Sequence, residues 1–312
     1  MTSTKAPSST SCLLLAPVAV LLLVFLVASL NRSGAGSDGV GVLCARRAGA
    51  DHYAVAAPEK EDAAPAEPEL SLLVGILTMP KLRERRDLVR LAYALQPPVP
   101  SYARVDVRFV FCNVTDPVDA ALVALEIMAH GDILVLDCAE NMNDGKTYAY
   151  FSSVPRLFAG APYDYVMKTD DDTYLRVPAL VEELRGKPRH DVYLGYGFNM
   201  SGDPMLFMHG MGYVMSWDLV SWVATAEEIL ARNDTVGPED LMLGKWVNLA
   251  GKGRNRYDLK PRMYDLNWNM DNLRPDTVVV HMLKGNRRWA TTLRYFNVTA
   301  GIEPSSKLYR LP

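Results

Sequence analysis

Four short apolar runs alternate with three helical stretches between residues 71 and 167, and this alternation limits the fold more than any other feature of the chain. Residues 71–77 are almost continuously apolar, as expected of a strand covered on both faces. Val105, Val107, Phe109 and Phe111 alternate as a second strand, residues 133–136 form a third, and residues 165–167 a fourth. Over residues 82–95, Leu88, Leu91, Ala92 and Leu95 recur at helical spacing, and Pro97-Pro98 stops that helix. Asp116-Pro117 supplies an N-cap and a first-turn proline, and Gly131 a C-cap, for a helix over residues 117–130. A third helix is predicted over residues 146–158, bent at Pro155. The order predicts an α/β fold around an open, mostly parallel sheet flanked by helices, with ligands beyond the carboxyl ends of the strands.

The fourth strand runs directly into Asp170, Asp171 and Asp172. Adjacent carboxylates repel one another, so a fold that holds three together brings in a cation or hydrogen-bond donors. Oxygen ligation suits Mg²⁺ or Mn²⁺. In an extended segment Asp170 and Asp172 point one way and Asp171 the other. The bland alternative is a solvated acidic turn.

The second half reads as a helix from Pro178 to Arg185, a strand over 192–194 and a Gly-, Asn- and Pro-rich segment over 195–207. A glycine-spaced turn, His209-Gly210-Met211-Gly212, then enters a strand ending at Ser216, followed by a helix over 217–232. Pro238-Glu239-Asp240 opens another helix, and an apolar strand over 277–280 ends at His281. Glu239-Asp240 reads either as acidic residues complementing a helix dipole or as a general base. His281 reads as structural or as a metal ligand beside Asp172. Arg85, Arg86 and Arg90 form a solvated face or bind a nucleotide. No GxGxxG or GxxxxGK[ST] loop follows the first strand, which argues against dinucleotide enzymes and P-loop NTPases.

A net charge of −3 over 312 residues gives no sign of a nucleic-acid partner. Residues 12–30 are uncharged and long enough to cross a bilayer, predicting a signal anchor behind a short tail, residues 1–11; a cleavable signal peptide is the competing reading. Residues 31–69 are rich in Ala, Pro and Glu and read as a flexible stem, leaving residues 70–312 as the folded domain. The sequons at Asn113, Asn199, Asn233 and Asn297 fit a luminal domain, whereas Asn31 lies too near the membrane. Cys112 and Cys138 end successive strands, and a disulfide or two buried thiols read equally well there.

Four motifs occur in a fixed order over roughly residues 70–296: Arg85-Arg86-x-x-x-Arg90; Tyr165-Val166-Met167-Lys168-Thr169-Asp170-Asp171-Asp172; Gly210-x-Gly212-Tyr213-Val214-Met215-Ser216; and Glu239-Asp240-Leu241-Met242-Leu243-Gly244. Behind an anchor and stem, this set resembles glycosyltransferase family 31, which holds the β-1,3-galactosyltransferases and β-1,3-N-acetylglucosaminyltransferases of the Golgi. The resemblance implies a GT-A type fold with a Rossmann-like sheet, in a type II Golgi membrane enzyme with a luminal catalytic domain. It implies Mn²⁺ held by Asp170, Asp172 and His281, and a UDP-sugar donor contacted by Arg86, Arg90, Lys146 and Asp171. Gly210 and Gly212 would line the donor and acceptor cleft, and Asp240 would be the catalytic base, with Glu239 as the fallback. The implied reaction is inverting transfer of galactose, or with less support N-acetylglucosamine, to a 3-hydroxyl of a glycan or glycoprotein acceptor; a homo- or hetero-oligomer is compatible with it. The alternatives are a non-catalytic glycan-binding or partner subunit of the same fold, and a metal-dependent phosphohydrolase. The family's Arg-x-Thr-Trp is here Arg90-Leu91-Ala92-Tyr93, a change expected to alter packing of the nucleotide pocket, and the Val of Glu-Asp-Val is Leu241.

Overall fold

A computed structural model describes residues 67–141, 143–199, 206–230, 237–265 and 273–298. The predicted tail, anchor and most of the stem, with Asn31 and Asn233, lie outside these residues. Among the described residues no helix is long and apolar enough to cross a membrane.

The elements follow the sequence closely through the first half. β1 (Leu70–Leu77), β2 (Ala103–Cys112), β3 (Ile133–Leu136) and β4 (Tyr165–Asp170) alternate with α1 (Arg83–Ala94), α2 (Pro117–His130) and α3 (Lys146–Leu157). Asp116 caps α2 by accepting hydrogen bonds from the Val118 and Asp119 amides, each at 2.9 Å, and Gly131 ends it at φ 63°, in the left-handed region glycine favours. Then come β5 (Tyr174–Leu175), α4 (Val177–Arg185), β6 (Val192–Asn199), β7 (Leu206–Ser216), α5 (Trp217–Thr225), α6 (Glu227–Leu230) and α7 (Glu239–Leu249). β8 (Asn255–Asp258), β9 (Met263–Asp265), β10 (Val279–His281) and α8 (Asn286–Tyr295) complete the described chain.

The large sheet has the order β3-β2-β1-β4-β7-β6-β8. Every neighbouring pair is parallel except those made by β7, which runs against both β4 and β6. The chain winds outward from β1 through β2 to β3, then returns to lay β4 on the other side of β1. Such a reversal opens a crevice at the carboxyl ends of β1 and β4, where open sheets bind ligands. A small sheet, β5-β10-β9, stands beside it.

Strand alternation divides the core in two. Leu72, Val74 and Ile76 join one apolar cluster with Val89 of α1, Leu180 of α4 and Trp289 of α8. Leu73 joins the other, with Tyr150 and Phe151 of α3, Val220 of α5 and Trp246 of α7.

Four elements escape the sequence reading. β5 is two residues long, β8 carries the polar sequence Asn-Arg-Tyr-Asp, β9 is short, and α8 buries only Trp289 and Thr292. The helix expected over 217–232 breaks at Ala226, whose backbone is extended, and the break turns Ala226 and Ile229 into the second cluster. The segment from Gly195 that reads as a loop instead continues β6 to Asn199, with an irregularity in register between Gly195 and Gly197. Cys112 and Cys138 form a disulfide, which settles the alternative left open by sequence.

Candidate active site

The chemistry-bearing side chains stand at element ends around the crevice. Thr78 follows β1, Asp170 closes β4, Asp265 closes β9 and His281 closes β10. Because β7 runs the other way, it brings its early residues, His209 and Gly210, to the same rim. α7 opens there with Glu239 and Asp240. With Arg85, Lys146, Lys168 and Lys284, these groups (Asp265 apart) line one cleft of about 450 Å³.

Asp170, Asp172 and His281 offer ligand atoms that all lie within 4.8 Å of one another. His281 Nε2 is 3.3 Å from Asp172 Oδ1 and 3.8 Å from Asp170 Oδ2. The parallel register of β9 and β10 sets Asp265 beside His281, and its Oδ1 lies 3.1 Å from Nδ1. A carboxylate can only accept, so Asp265 holds the proton on Nδ1 and leaves Nε2 facing the Asp pair. Burial disfavours charge on the His281 ring, but its hydrogen bonds to Asp172 and Asp265, and the charges of those carboxylates, outweigh it and raise its pKa to about 9. Burial pushes the Asp172 carboxyl up, yet its hydrogen bond with His281 and that ring's charge leave it below the ordinary range. Two carboxylates and an imidazole oriented from behind fit a divalent cation of the Mg²⁺ or Mn²⁺ kind.

Asp171 turns the other way. It accepts a hydrogen bond from the Thr78 hydroxyl at 2.6 Å and from Arg85 Nη1 at 2.8 Å, tying the end of β4 to β1 and α1. Burial raises its carboxyl pKa in spite of those two donors.

The arginines fall differently from the sequence expectation. Arg86 is fully buried and spends its guanidinium on Glu126 and the Met79 and Pro80 carbonyls. Arg90 pairs with Glu126, Asp132 and Asp87. Neither lines the cleft; Arg85 does. The helix period decides this, since neighbouring residues on one helix face different ways. Tyr93 is likewise no part of the cleft: its hydroxyl accepts from the Leu175 amide and its ring meets Tyr174 edge-on. Lys146 lines the cleft, with its ammonium engaged by the Thr78 carbonyl and Glu140. Gly210 lines it too, whereas Gly212 lies within the β4–β7 ladder opposite Thr169, where a Cβ would stand 2.7 Å from Met167.

Asp240 accepts a hydrogen bond from the Gly210 amide at 2.8 Å through Oδ2, and Oδ1 accepts from the Leu241 amide at 3.0 Å. Glu239 is fastened to the first turn of α3 through the Thr147 amide and hydroxyl. Lys168 Nζ bridges Asp170 Oδ1 (2.6 Å) and the Gly210 carbonyl (2.7 Å), linking the acidic pair to the peptide that holds Asp240. Burial lowers the His209 pKa, against the pull of nearby Asp240. Sequence reasoning did not single out Lys168, His209, Asp265 or Lys284. Lys168 and His209 stand inside quoted motifs, so a signal existed; Asp265 enters only through strand pairing.

The galactosyltransferase family model matches residues 84–205. The chain is 26% identical to β-1,3-galactosyltransferase pvg3 of Schizosaccharomyces pombe, over 72% of this chain and 74% of that protein. It is 24% identical to β-1,3-galactosyltransferase 6 of Mus musculus, over 61% of this chain and 64% of that protein. Among solved structures, an active-site mutant of LgtC superposes with a TM-score of 0.44 at 14% identity, over 77% of this chain and 99% of that one. The chain is a glycosyltransferase. Within that class its likeness is to the galactosyltransferase family, whose model spans residues 84–205, and to β-1,3-galactosyltransferases.

Proposed function

We propose that the chain moves galactose from a UDP-sugar to a 3-hydroxyl of a glycan or glycoprotein, with inversion at the anomeric carbon to give a β-1,3 linkage. The observation that carries this reading is that Asp170, Asp172, His281 and Asp240 share one cleft at the sheet's reversal point. The names of the two curated relatives support galactose and the linkage. A GT-A arrangement agrees with the mixed sheet and the acidic pair at the end of β4.

The residues divide the task. Asp170, Asp172 and His281 would hold the cation, Mn²⁺ in this reading, which when bound would neutralise charge gathering on the departing diphosphate. Asp240 takes the proton of the acceptor hydroxyl as it attacks the sugar from the side opposite the leaving group. The Gly210 and Leu241 amides orient that carboxylate. One displacement with one base needs no protein nucleophile, and inversion follows. Arg85 and Lys284 add positive charge at the donor side of the cleft.

A type II Golgi setting, anchored by residues 12–30 with residues 31–69 as stem, belongs to the same proposal. It is supported by the Cys112–Cys138 disulfide, which suits an oxidising compartment, and by the exposed sequons Asn113, Asn199 and Asn297. The test is UDP release from a panel of UDP-sugars, with Mn²⁺ or with EDTA. UDP-galactose is expected to be cleaved only with metal, and Asp172→Ala and Asp240→Asn each to lower turnover by about 100-fold or more. Metal-independent release, or full turnover in Asp240→Asn, would sink the reading.

A further inference from the structure

A ladder of aromatic rings leads out of the cleft along β6 and β7. Phe198 lies directly opposite Phe207 in the strand pairing, Tyr196 stands two residues before Phe198, and His209 two residues after Phe207. The register is irregular beside Tyr196 and His209, and it is the ring contacts that bring all four together. Their centroids confirm contact: 5.2 Å for Tyr196–Phe198, 5.9 Å for Phe198–Phe207 and 5.5 Å for Phe198–His209. At its inner end, His209 lines the cleft and meets the His281 ring at 5.9 Å. At its outer end, Phe198 is 42% exposed. Lys260 Nζ stands 5.2 Å from the Tyr196 centroid and 5.8 Å from that of Phe198, and pairs with Asp258 at 3.2 Å.

We propose that this ladder is an acceptor subsite, on which Phe198 and Tyr196 take the C–H face of a pyranose while Lys260 and Asp258 hydrogen-bond its rim hydroxyls. It rests on the glycosyl-transfer reading above and names how the acceptor is held. A pyranose has just this division, carbon–hydrogen bonds on its face and hydroxyls around its edge, and an aromatic face is negative where C–H bonds are positive. A cationic ligand fits less well, because it would meet the like charge of the Lys260 ammonium beside these rings. Position separates acceptor from donor. The donor's diphosphate must reach Asp170, Asp172 and His281, and the polar end of the cleft at Thr78, Arg85, Asn141 and Lys146 lies ready for its nucleoside. The acceptor must instead present a hydroxyl to Asp240, which the Gly210 amide holds, and Gly210 follows His209 directly.

The experiment uses the full-length chain with Mn²⁺ and UDP. Methyl β-galactoside, methyl β-N-acetylglucosaminide and methyl β-xyloside are each titrated by saturation-transfer NMR, and the UDP Kd is measured in parallel. At least one glycoside is expected to bind, with Phe198→Ala weakening it about 10-fold and Phe198→Trp restoring it, and with the UDP Kd moved less than about two-fold. Equal glycoside binding by wild type and Phe198→Ala would overturn the subsite, as would a loss of UDP affinity matching the loss of glycoside affinity. Binding of UDP but of no glycoside would overturn it while sparing the transferase reading. Failure of UDP itself to bind with Mn²⁺ would remove both.

Discussion

Among single residues, Asp265 shows most clearly what side-chain chemistry adds to a motif. It reaches no substrate position; it fixes the tautomer and direction of His281 through Nδ1. Groups standing behind a metal ligand in this way typically contribute 10–100-fold to metal affinity, so Asp265→Ala is expected to weaken Mn²⁺ binding by about that factor. Calorimetric titration of the full-length chain would check it, and an unchanged Mn²⁺ affinity would show that His281 needs no such support. Asp265→Asn, which keeps an acceptor oxygen, should lose less. The Asp triplet was legible from sequence because period-two alternation separates Asp170 and Asp172 from Asp171. The partner of Asp171 was not: Arg85, Arg86 and Arg90 are chemically alike, and only the orientation of α1 decides which one reaches the cleft.

Between elements, buried charge and close approach do the joining. Glu126 of α2 accepts from both Arg86 and Arg90 of α1, in a site from which water is excluded. Burial alone would raise the Glu126 pKa, but the two guanidinium groups bring it below the ordinary carboxylate value. A depressed carboxylate contributes stability that is present above the unfolded pKa, near 4.3, and is lost as pH falls through the folded value. Glu126→Gln leaves Arg86 buried without its counter-charge and should cost about 3–5 kcal/mol at neutral pH. Urea unfolding of the variant at pH 7 and pH 4 should show the deficit shrinking in acid. At the β1–α3 contact, a Cβ on Gly75 would lie 2.3 Å from the buried Tyr150 ring, so α3 approaches the sheet only because that residue is glycine. Gly75→Ala is expected to destabilise by about 1–3 kcal/mol, and pairing it with Tyr150→Leu should cost less than the two changes summed, read from thermal unfolding.

For the whole molecule, the Cys112–Cys138 disulfide ties β2 to the turn after β3 at the edge of the sheet, with a sequence separation of 26. Closing a loop of that size restricts the unfolded chain by about 3.5 kcal/mol in the chain-entropy model, so the double variant Cys112→Ala/Cys138→Ala should unfold at correspondingly lower urea. Maleimide labelling in denaturant should find these two thiols only after reduction. The sequence by itself determined the strand–helix alternation, the caps of α2 and the end of β4 where three carboxylates meet, because these depend on local periodicity and neighbouring residues. It also carried the resemblance to a glycosyltransferase family through motifs set in one order. Only the tertiary structure decided that β7 runs against its neighbours, that β9 brings Asp265 to His281, and that Arg85 rather than Arg86 faces the cleft. Those are relations between segments far apart in the chain, and they are set by how strands pair and helices rotate onto a shared core.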